Sequence, residues 1–440
     1  MILFYLLLWI LPLVNHPLWG RQIGPFSVFE YIGIGALLYA IFHVISKGEV
    51  PPILGTWQVR LVLILYLVAL GSSLAGGRFP NPSLTIYTAS MLLFPLAIML
   101  VDTLERLRWA ILSVVGGYAW ASLYVIREWR RGSAQWSGYR PGFIVGDSNY
   151  FATAAIVAII LGFCLMQGKG PRWQRRYCLT CVLITVFGVM VCASRGGFLG
   201  LAVAFVFVIW RMEHRIRNFA LLAVLILPLA FLLPTSPLQR LLHPNYAAEE
   251  SEQYHQFAWT AGYHMIETHP LMGIGLGRFK PEMPDYLSVQ LPEYTLAHNM
   301  FIEVAAELGL PALLCFIAIF SSTYFGLGRL RKSDAAPLIR DAASALQAGV
   351  AGLALAGCFV SAEYQKTTWT GLALAAALLV LAQKQQLAGS KEDLDQAAPF
   401  GGPVPAPRLG SNEGALAGKS VLLSAARTKT GLSRAYDDFR

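Results

Sequence analysis

"TCVLITVFGVMVCASRGGFLGLAVAFVFVIW", Thr180 to Trp210, sets a single arginine between two long apolar runs. Basic residues close the pair at both ends, Arg172, Arg175 and Arg176 before it and Arg211, Arg215 and Arg217 after it. The pattern reads as a helical hairpin with its tip at Ser194-Arg195-Gly196-Gly197. Short loops rich in Lys and Arg stay on the cytoplasmic side of a membrane, so the tip is expected to face the external side. What an arginine does there, with two glycines beside it, is the question the rest of the chain has to answer.

The composition supports the membrane reading. Of 440 residues, 56% are hydrophobic and 13% charged, and the mean hydropathy is +0.54, outside the range of ordinary soluble domains. We expect an all-α polytopic membrane protein with about twelve spans of roughly 17–25 residues. They centre near Leu8, Ala36, Tyr66, Phe94, Gly117, Ile159, Gly188, Val206, Ile226, Ala318, Leu355 and Leu378. The run at Met1 has no basic leader and no small-residue cleavage site, and is expected to be a retained first span. Arg329, Arg331, Lys332 and Arg340 mark a third cytoplasmic loop. Counting from these loops puts both termini inside and makes two longer loops external, about residues 127–150 and 234–298. The net charge of +9 lies in short inter-span loops, which argues against nucleic acid as a partner. Residues 1–386 are expected to form the membrane domain. Residues 387–440, rich in Gly, Ala, Pro, Ser and charge, are expected to form a disordered cytoplasmic tail. Cys178 and Cys181 form a CxxC without a second pair, which reads as helix packing.

The external loops carry the unusual chemistry. Arg127, Arg130, Arg131 and Arg140 face only Glu128 and Asp147 in the first, against the positive-inside bias. In the second, Tyr254, Phe257, Ala258, Ala261, Met265 and Ile266 recur at helical spacing, as in an amphipathic helix on the outer membrane surface. The "GIGLG" that follows (Gly273, Gly275, Gly277) comes after a helix and not a strand, so it is a poor nucleotide loop. Gly309 and Pro311 read as a stop and a start. His298 to Leu308 then becomes a short external helix, with His298, Asn299 and Glu303 near the surface and Glu307 at the boundary. The span proper begins at Leu310.

Polar groups thus gather at one face: Arg195, the loop arginines, His255, His264, His269, His298, and Glu363 to Lys366. Arginine suits a diphosphate because its fork donates paired hydrogen bonds and stays ionised. Gly196 and Gly197 would let a bulky headgroup approach. On the tripeptide alone, an arginine that only snorkels is the plainer reading. Histidine is suited to acid or base work near neutral pH. The sequence has no HExxH, no helix-borne zinc spacing and no nucleophile elbow.

These residues resemble the O-antigen ligases and O-antigen polymerases of bacterial envelope polysaccharide assembly. The similarity runs from about Ala193 to Leu313: an "SRGG" tip at Ser194–Gly197, "HPLMGIGLG" at His269–Gly277, and His298-Asn299 followed by Glu307 and Gly309. "GDSNYFA" (Gly146–Ala152) is also common in such proteins. The resemblance implies a metal-independent, inverting glycosyltransferase of the C-type membrane architecture in the bacterial inner membrane, needing no cofactor. Its donor would be an undecaprenyl-pyrophosphate-linked glycan on the periplasmic side, and its acceptor lipid A-core, a polysaccharide or a protein. By the same carry-over Arg195 holds the pyrophosphate and His298 orients or deprotonates the acceptor, with Asn299, Glu303 and Glu307 in support. One position departs from the family: an arginine common four residues before Trp259 is His255 here. Either His255 supplies a weaker positive charge, or Arg140 or Lys366 takes the role. A lipid-linked glycan flippase is the alternative of another class, but charges at midplane and repeated halves are missing from the sequence.

Overall fold

The computed structural model describes residues 1–397 apart from 14, 76–80, 134–138, 169, 213, 233–236 and 239–245. In chain order the helices begin with α1 (Ile2–Ile10), α2 (Val28–Lys47), α3 (Trp57–Ala75), α4 (Pro82–Met91), α5 (Leu93–Leu100), α6 (Leu104–Ser133), α7 (Ser148–Gln167) and α8 (Arg172–Val191). They continue with α9 (Arg195–Ile209), α10 (Arg215–Leu232), α11 (Tyr246–Thr268), α12 (Phe279–Glu282), α13 (Met300–Leu308), α14 (Leu310–Arg331), α15 (Pro337–Ala356) and α16 (Lys366–Ala397). A two-residue ribbon, Gln22–Ile23 against Phe26–Ser27, precedes α2.

Among the described residues eight helices are long and apolar enough to cross a membrane, with α4 and α5 counted as one. The expected centres at Leu8, Val206, Ile226 and Leu378 fall in α1, α9, α10 and α16, outside that set. At about 1.5 Å per residue, α1 is roughly 14 Å long and α9 roughly 22 Å, against a hydrocarbon core of about 30 Å. The expected first span is therefore a short helix; Leu11 still has helical geometry, but Pro12 has no N–H to continue the ladder. By contrast α6 has 30 residues, about 45 Å, and its last turns hold Arg127, Arg130 and Arg131, which the sequence reading had placed in a loop.

Residues 1–388 form one compact unit and 389–440 a second. Of the second, residues 389–397 are described, as helix; "QLAGSKEDLDQA" is rich enough in helix formers to carry α16 past the expected boundary. The rest of the expected tail, 398–440, lies outside the described residues.

In the first unit α6, α7, α8, α9 and α15 pack around a shared core. Without water to expel, membrane helices associate through small residues that let backbones approach. A Cβ on Gly200 of α9 would stand 2.8 Å from the Ala356 Cβ of α15. That crossing holds the start of α9, and with it Arg195, against the end of α15.

The segment after α10 has a small core of its own. Ala258, Ala261 and Met265 of α11 are fully buried among Phe279, Met283, Ile302 and Ala306. The stripe on this helix is as expected, but its partner is α13 and the residues around α12, not the membrane surface.

Candidate functional site

The turn between α8 and α9 is three residues long. Ala193 takes φ 54°, and the Ser194 hydroxyl caps α9 by accepting the Gly197 N–H at 3.2 Å. Arg195 is therefore the first residue of a helix, beside the unpaired N–H groups of its positive end. Acidic residues stabilise that position and a guanidinium does not. Among the described residues Arg195 donates no hydrogen bond, so two positive features point at a space that suits an anion.

Arg140 is a second cation in the same place, and the structure turns it alone of the four loop arginines toward the tip. Its Nε donates to the Cys192 carbonyl at 3.0 Å, at the C-terminal end of α8, and its Nη2 to Asn149 Oδ1 at 2.7 Å. Burial lowers the Arg140 pKa; Asp147 opposes this, and Arg195 adds to it. Asp147 also caps α7, accepting from Asn149 and Tyr150 N–H at 2.7 and 3.1 Å. Arg127, Arg130 and Arg131 are exposed. Glu128 instead receives Tyr139 Oη and the Gly142 N–H, each at 2.8 Å, and so folds the loop back.

The glycines beside Arg195 do something other than admit a headgroup. A Cβ on Gly196 would stand 2.7 Å from the Phe359 Cβ, and one on Gly197 2.7 Å from the Ala152 Cβ. Both are spent on packing the tip against neighbouring elements.

His298 comes before its helix, not within it. It takes φ 49°, rare for a non-glycine residue, and α13 starts at Met300 with Asn299 as cap. The Asn299 Oδ1 accepts from Phe301 and Ile302 N–H at 3.0 and 3.2 Å. On the other side Ala297 is clamped twice: its N–H donates to Glu303 Oε2 at 3.2 Å, and its carbonyl accepts Trp259 Nε1 at 2.9 Å. His255 lies one helical turn before Trp259, on the same face of α11. Its ring centroid is 4.9 Å from that of His298, with the planes tilted by 37°.

Burial lowers the pKa of His298, partly offset by Asp147. Burial, then His298 and Arg195, push that of His255 down to about 4. Both rings are thus held toward their neutral forms. The suggestion that His255 supplies a positive charge is therefore corrected: a buried imidazole facing a guanidinium cannot hold a proton well.

Glu303 and Glu307 are covered by protein. With Glu363 they are sealed in protein, at 0, 2 and 1% exposure. Glu303 accepts from Ser361 Oγ as well as Ala297. Glu307 accepts the Gly277 N–H at 2.9 Å, the Phe279 N–H at 3.0 Å and Tyr364 Oη. Both Glu363 oxygens lack a partner. Burial raises the pKa of all three, that of Glu307 to about 7, and mutual repulsion raises those of Glu303 and Glu363 further. The "GIGLG" loop now has a physical reason. Gly273, Gly275 and Gly277 all take positive φ, and the chain wraps the end of α13 so closely that a Cβ on Gly273 would run into the Glu307 backbone.

Lys366 sits elsewhere. Its ammonium lies 5.1 Å over the Phe29 ring, and no contact joins it to Arg195. His264, on α11, bonds to the Tyr286 carbonyl at 3.0 Å, and His269, just past that helix, bonds to Thr268. Among the described residues no group of three or more His, Cys, Asp or Glu is placed to hold a metal ion. Asp147, Asn149, Trp259 and Ser361 are the residues the sequence reading did not assign to the site. The first two lie in "GDSNYFA", a segment noted but given no role.

A family model described as O-Antigen ligase matches residues 179–317, from within α8 through the tip, His255 and His298 into α14. No curated protein matches the chain. Residues 179–317 are thus similar to the O-antigen ligase family.

Proposed function

We propose that this protein transfers a glycan from undecaprenyl pyrophosphate to an acceptor hydroxyl on the periplasmic side of the bacterial inner membrane, with lipid A-core as the acceptor. The observation that carries the reading is Arg195: a guanidinium with no hydrogen-bond partner among the described residues, at the positive end of α9, beside a second arginine and two imidazoles held toward their neutral forms. Such a group is placed to meet charge that arrives with a ligand. The acceptor O–H gives its proton to His298 as its oxygen bonds to the anomeric carbon. The bond from that carbon to the diphosphate breaks, and the leaving electron pair goes to a phosphate oxygen facing Arg195. One displacement inverts the anomeric centre, and fixed guanidinium groups supply the electrostatic stabilisation without a metal. Arg140 takes part chiefly by fixing the turn that presents Arg195. Asn299, Glu303 and Trp259 hold His298, and His255 packs on its ring instead of binding phosphate. The negative charge of Asp147 favours the imidazolium that forms as the proton moves.

The test is deletion in the source organism, with electrophoresis of lipopolysaccharide beside extraction of lipid-linked glycans. Long polymer retained on undecaprenyl pyrophosphate and missing from lipid A-core is the expected result. A single repeat unit capping the core would make the enzyme a polymerase instead. If both pools are unchanged, the lipid A-core assignment fails, and a protein or exopolysaccharide acceptor replaces it.

A further inference from the structure

A groove of about 240 Å³ opens between α1, α2, α4, α5 and the start of α16. Nearly all of its wall is apolar, from Phe29 and Leu37 on one side to Ala89 and Leu96 on the other. The two threonines in it are already satisfied: Thr85 and Thr88 donate to the Asn81 and Leu84 carbonyls at 3.3 and 2.8 Å. Ile34, at its rim, is 40% exposed, so the groove communicates with the outside of the helix bundle. In a membrane protein that outside is lipid.

Lys366 closes one end. The Phe29 ring lies beneath its ammonium, and among the described residues Lys366 Nζ makes no hydrogen bond or ion pair. Glu30 lines the same end, but its Oε2 is committed to the capping box of α2, accepting the Ser27 N–H at 2.7 Å and Ser27 Oγ at 2.9 Å. The Glu30 charge attracts this ammonium, but no oxygen of the described residues hydrogen-bonds it, so a strongly hydrated group with three donors stands at the mouth of an apolar channel.

The size of the groove limits the occupant. Phe29 to Leu37 spans eight residues of α2 and Thr85 to Leu96 eleven along α4 and α5, so the channel runs roughly 12–16 Å. That is about half of a 30 Å hydrocarbon core, the depth of one leaflet. We infer that the groove binds one acyl chain of an anionic glycerophospholipid, with the lipid phosphate on the Lys366 ammonium. The site is separate from the tip that carries Arg195 and does not depend on the transfer reaction. It also explains why Lys366, grouped with the donor-binding residues in the sequence, is held over Phe29. An isoprenoid chain long enough to anchor a glycan would overrun the channel.

Two substitutions fill the channel from opposite walls. Gly33 faces it with open space: an added Cβ would have only a Leu7 methyl near it, at 3.9 Å. Gly33→Leu therefore blocks the groove, and Ala89→Phe blocks it from α4. The measurement is native mass spectrometry of the purified full-length protein released from detergent, with phosphatidylglycerol and phosphatidylcholine as probes. Wild-type protein is expected to retain phosphatidylglycerol in preference to phosphatidylcholine. Lys366→Ala should reduce that preference about fivefold or more, an interfacial lysine–phosphate contact being worth about that much. A blocking variant that melts at the wild-type temperature should lose both lipids, and Arg195→Ala should lose neither. Unchanged preference in Lys366→Ala, or full retention in both blocking variants, would overturn the assignment. Displacement of the lipid by inorganic phosphate, or stronger retention of a polyprenyl phosphate, would also overturn it, because the acyl chain would then not be what the groove selects.

Discussion

Arg195→Ala separates two roles that an interfacial arginine can have. If Arg195 meets the developing charge on a departing pyrophosphate, its removal should cost roughly 10²–10³ in turnover, or about 3–4 kcal/mol of transition-state stabilisation, as for loss of one preorganised donor. Folding should respond in the other direction. Arg195 donates no hydrogen bond in the described structure, stands at the positive end of α9 and shares its space with Arg140. A cation at that end of a helix costs a few tenths to about 1 kcal/mol. The alanine variant should therefore melt at the wild-type temperature or slightly above it, most clearly at low ionic strength where the repulsion is least screened. Arg195→Lys keeps charge but loses the fork, and should recover only part of the rate. The assay is transfer from a lipid-linked donor in proteoliposomes at matched protein amount, paired with thermal unfolding of the same preparations. Turnover within threefold of wild type would refute the reasoning. So would a drop in melting temperature as severe as the loss of activity, which would make Arg195 a structural residue.

Further expectations concern the groups that hold His298. A base with a lowered pKa must be neutral to accept a proton, so the acid limb of the kcat/KM profile should lie below pH 6.5; Asp147→Asn keeps the cap on α7 and should move the limb lower still, since Asp147 is what raises the His298 pKa. His255, pushed down to about 4, contributes stability above about pH 6.5 that falls away as pH drops toward 4; in His255→Gln this part of the pH dependence of unfolding should vanish. Asn299→Ala should cost about 1 kcal/mol of stability through the lost cap and a larger share of activity, while Asn299→Asp should restore the cap, as thermal unfolding and turnover together will report. Gly273→Ala, at φ 63° and against the Glu307 backbone, should cost at least about 1–3 kcal/mol, visible as loss of monodisperse protein in size-exclusion chromatography.

Much of the architecture is legible in one dimension because a bilayer imposes one-dimensional constraints. Apolar runs of fixed length and basic loops locate the helices, and Gly309-Leu310-Pro311 marks the break between α13 and α14 from local backbone preferences alone. Where these constraints weaken, the reading drifts. Apolarity continues past Pro12 although the helix does not, and charge begins at Arg127 although α6 does not end there. Nor does apolar spacing on α11 say whether lipid or protein covers the stripe, because both satisfy it equally. Arg195 and His298 stand out in sequence by type and motif. Their geometry does not, because it depends on contacts between segments distant in the chain, such as Arg140 with Cys192, His255 with His298 and Gly196 with Phe359.

Tertiary structure alone decided which arginine joins Arg195. Arg140 turns inward because Cys192 and Asn149 offer it acceptors, whereas Arg127, Arg130 and Arg131 are exposed. It also decided that His255 is a neutral ring on His298 and not a weak cation, since a pKa follows from burial and nearby charge, which no motif encodes. Glu303, Glu307 and Glu363 read as groups toward the external face because charge at mid-membrane is expensive. Folding buries them together, where Glu307 holds the glycine loop and Glu303 the residue before His298. The sequence by itself determined the membrane class, the hairpin tip with its arginine and the likeness of residues 179–317 to the O-antigen ligases. Which polar side chains share that space was fixed only when α11 packed on α13 and brought His255 and His298 near Arg195, because convergence depends on distance in three dimensions and not on order along the chain.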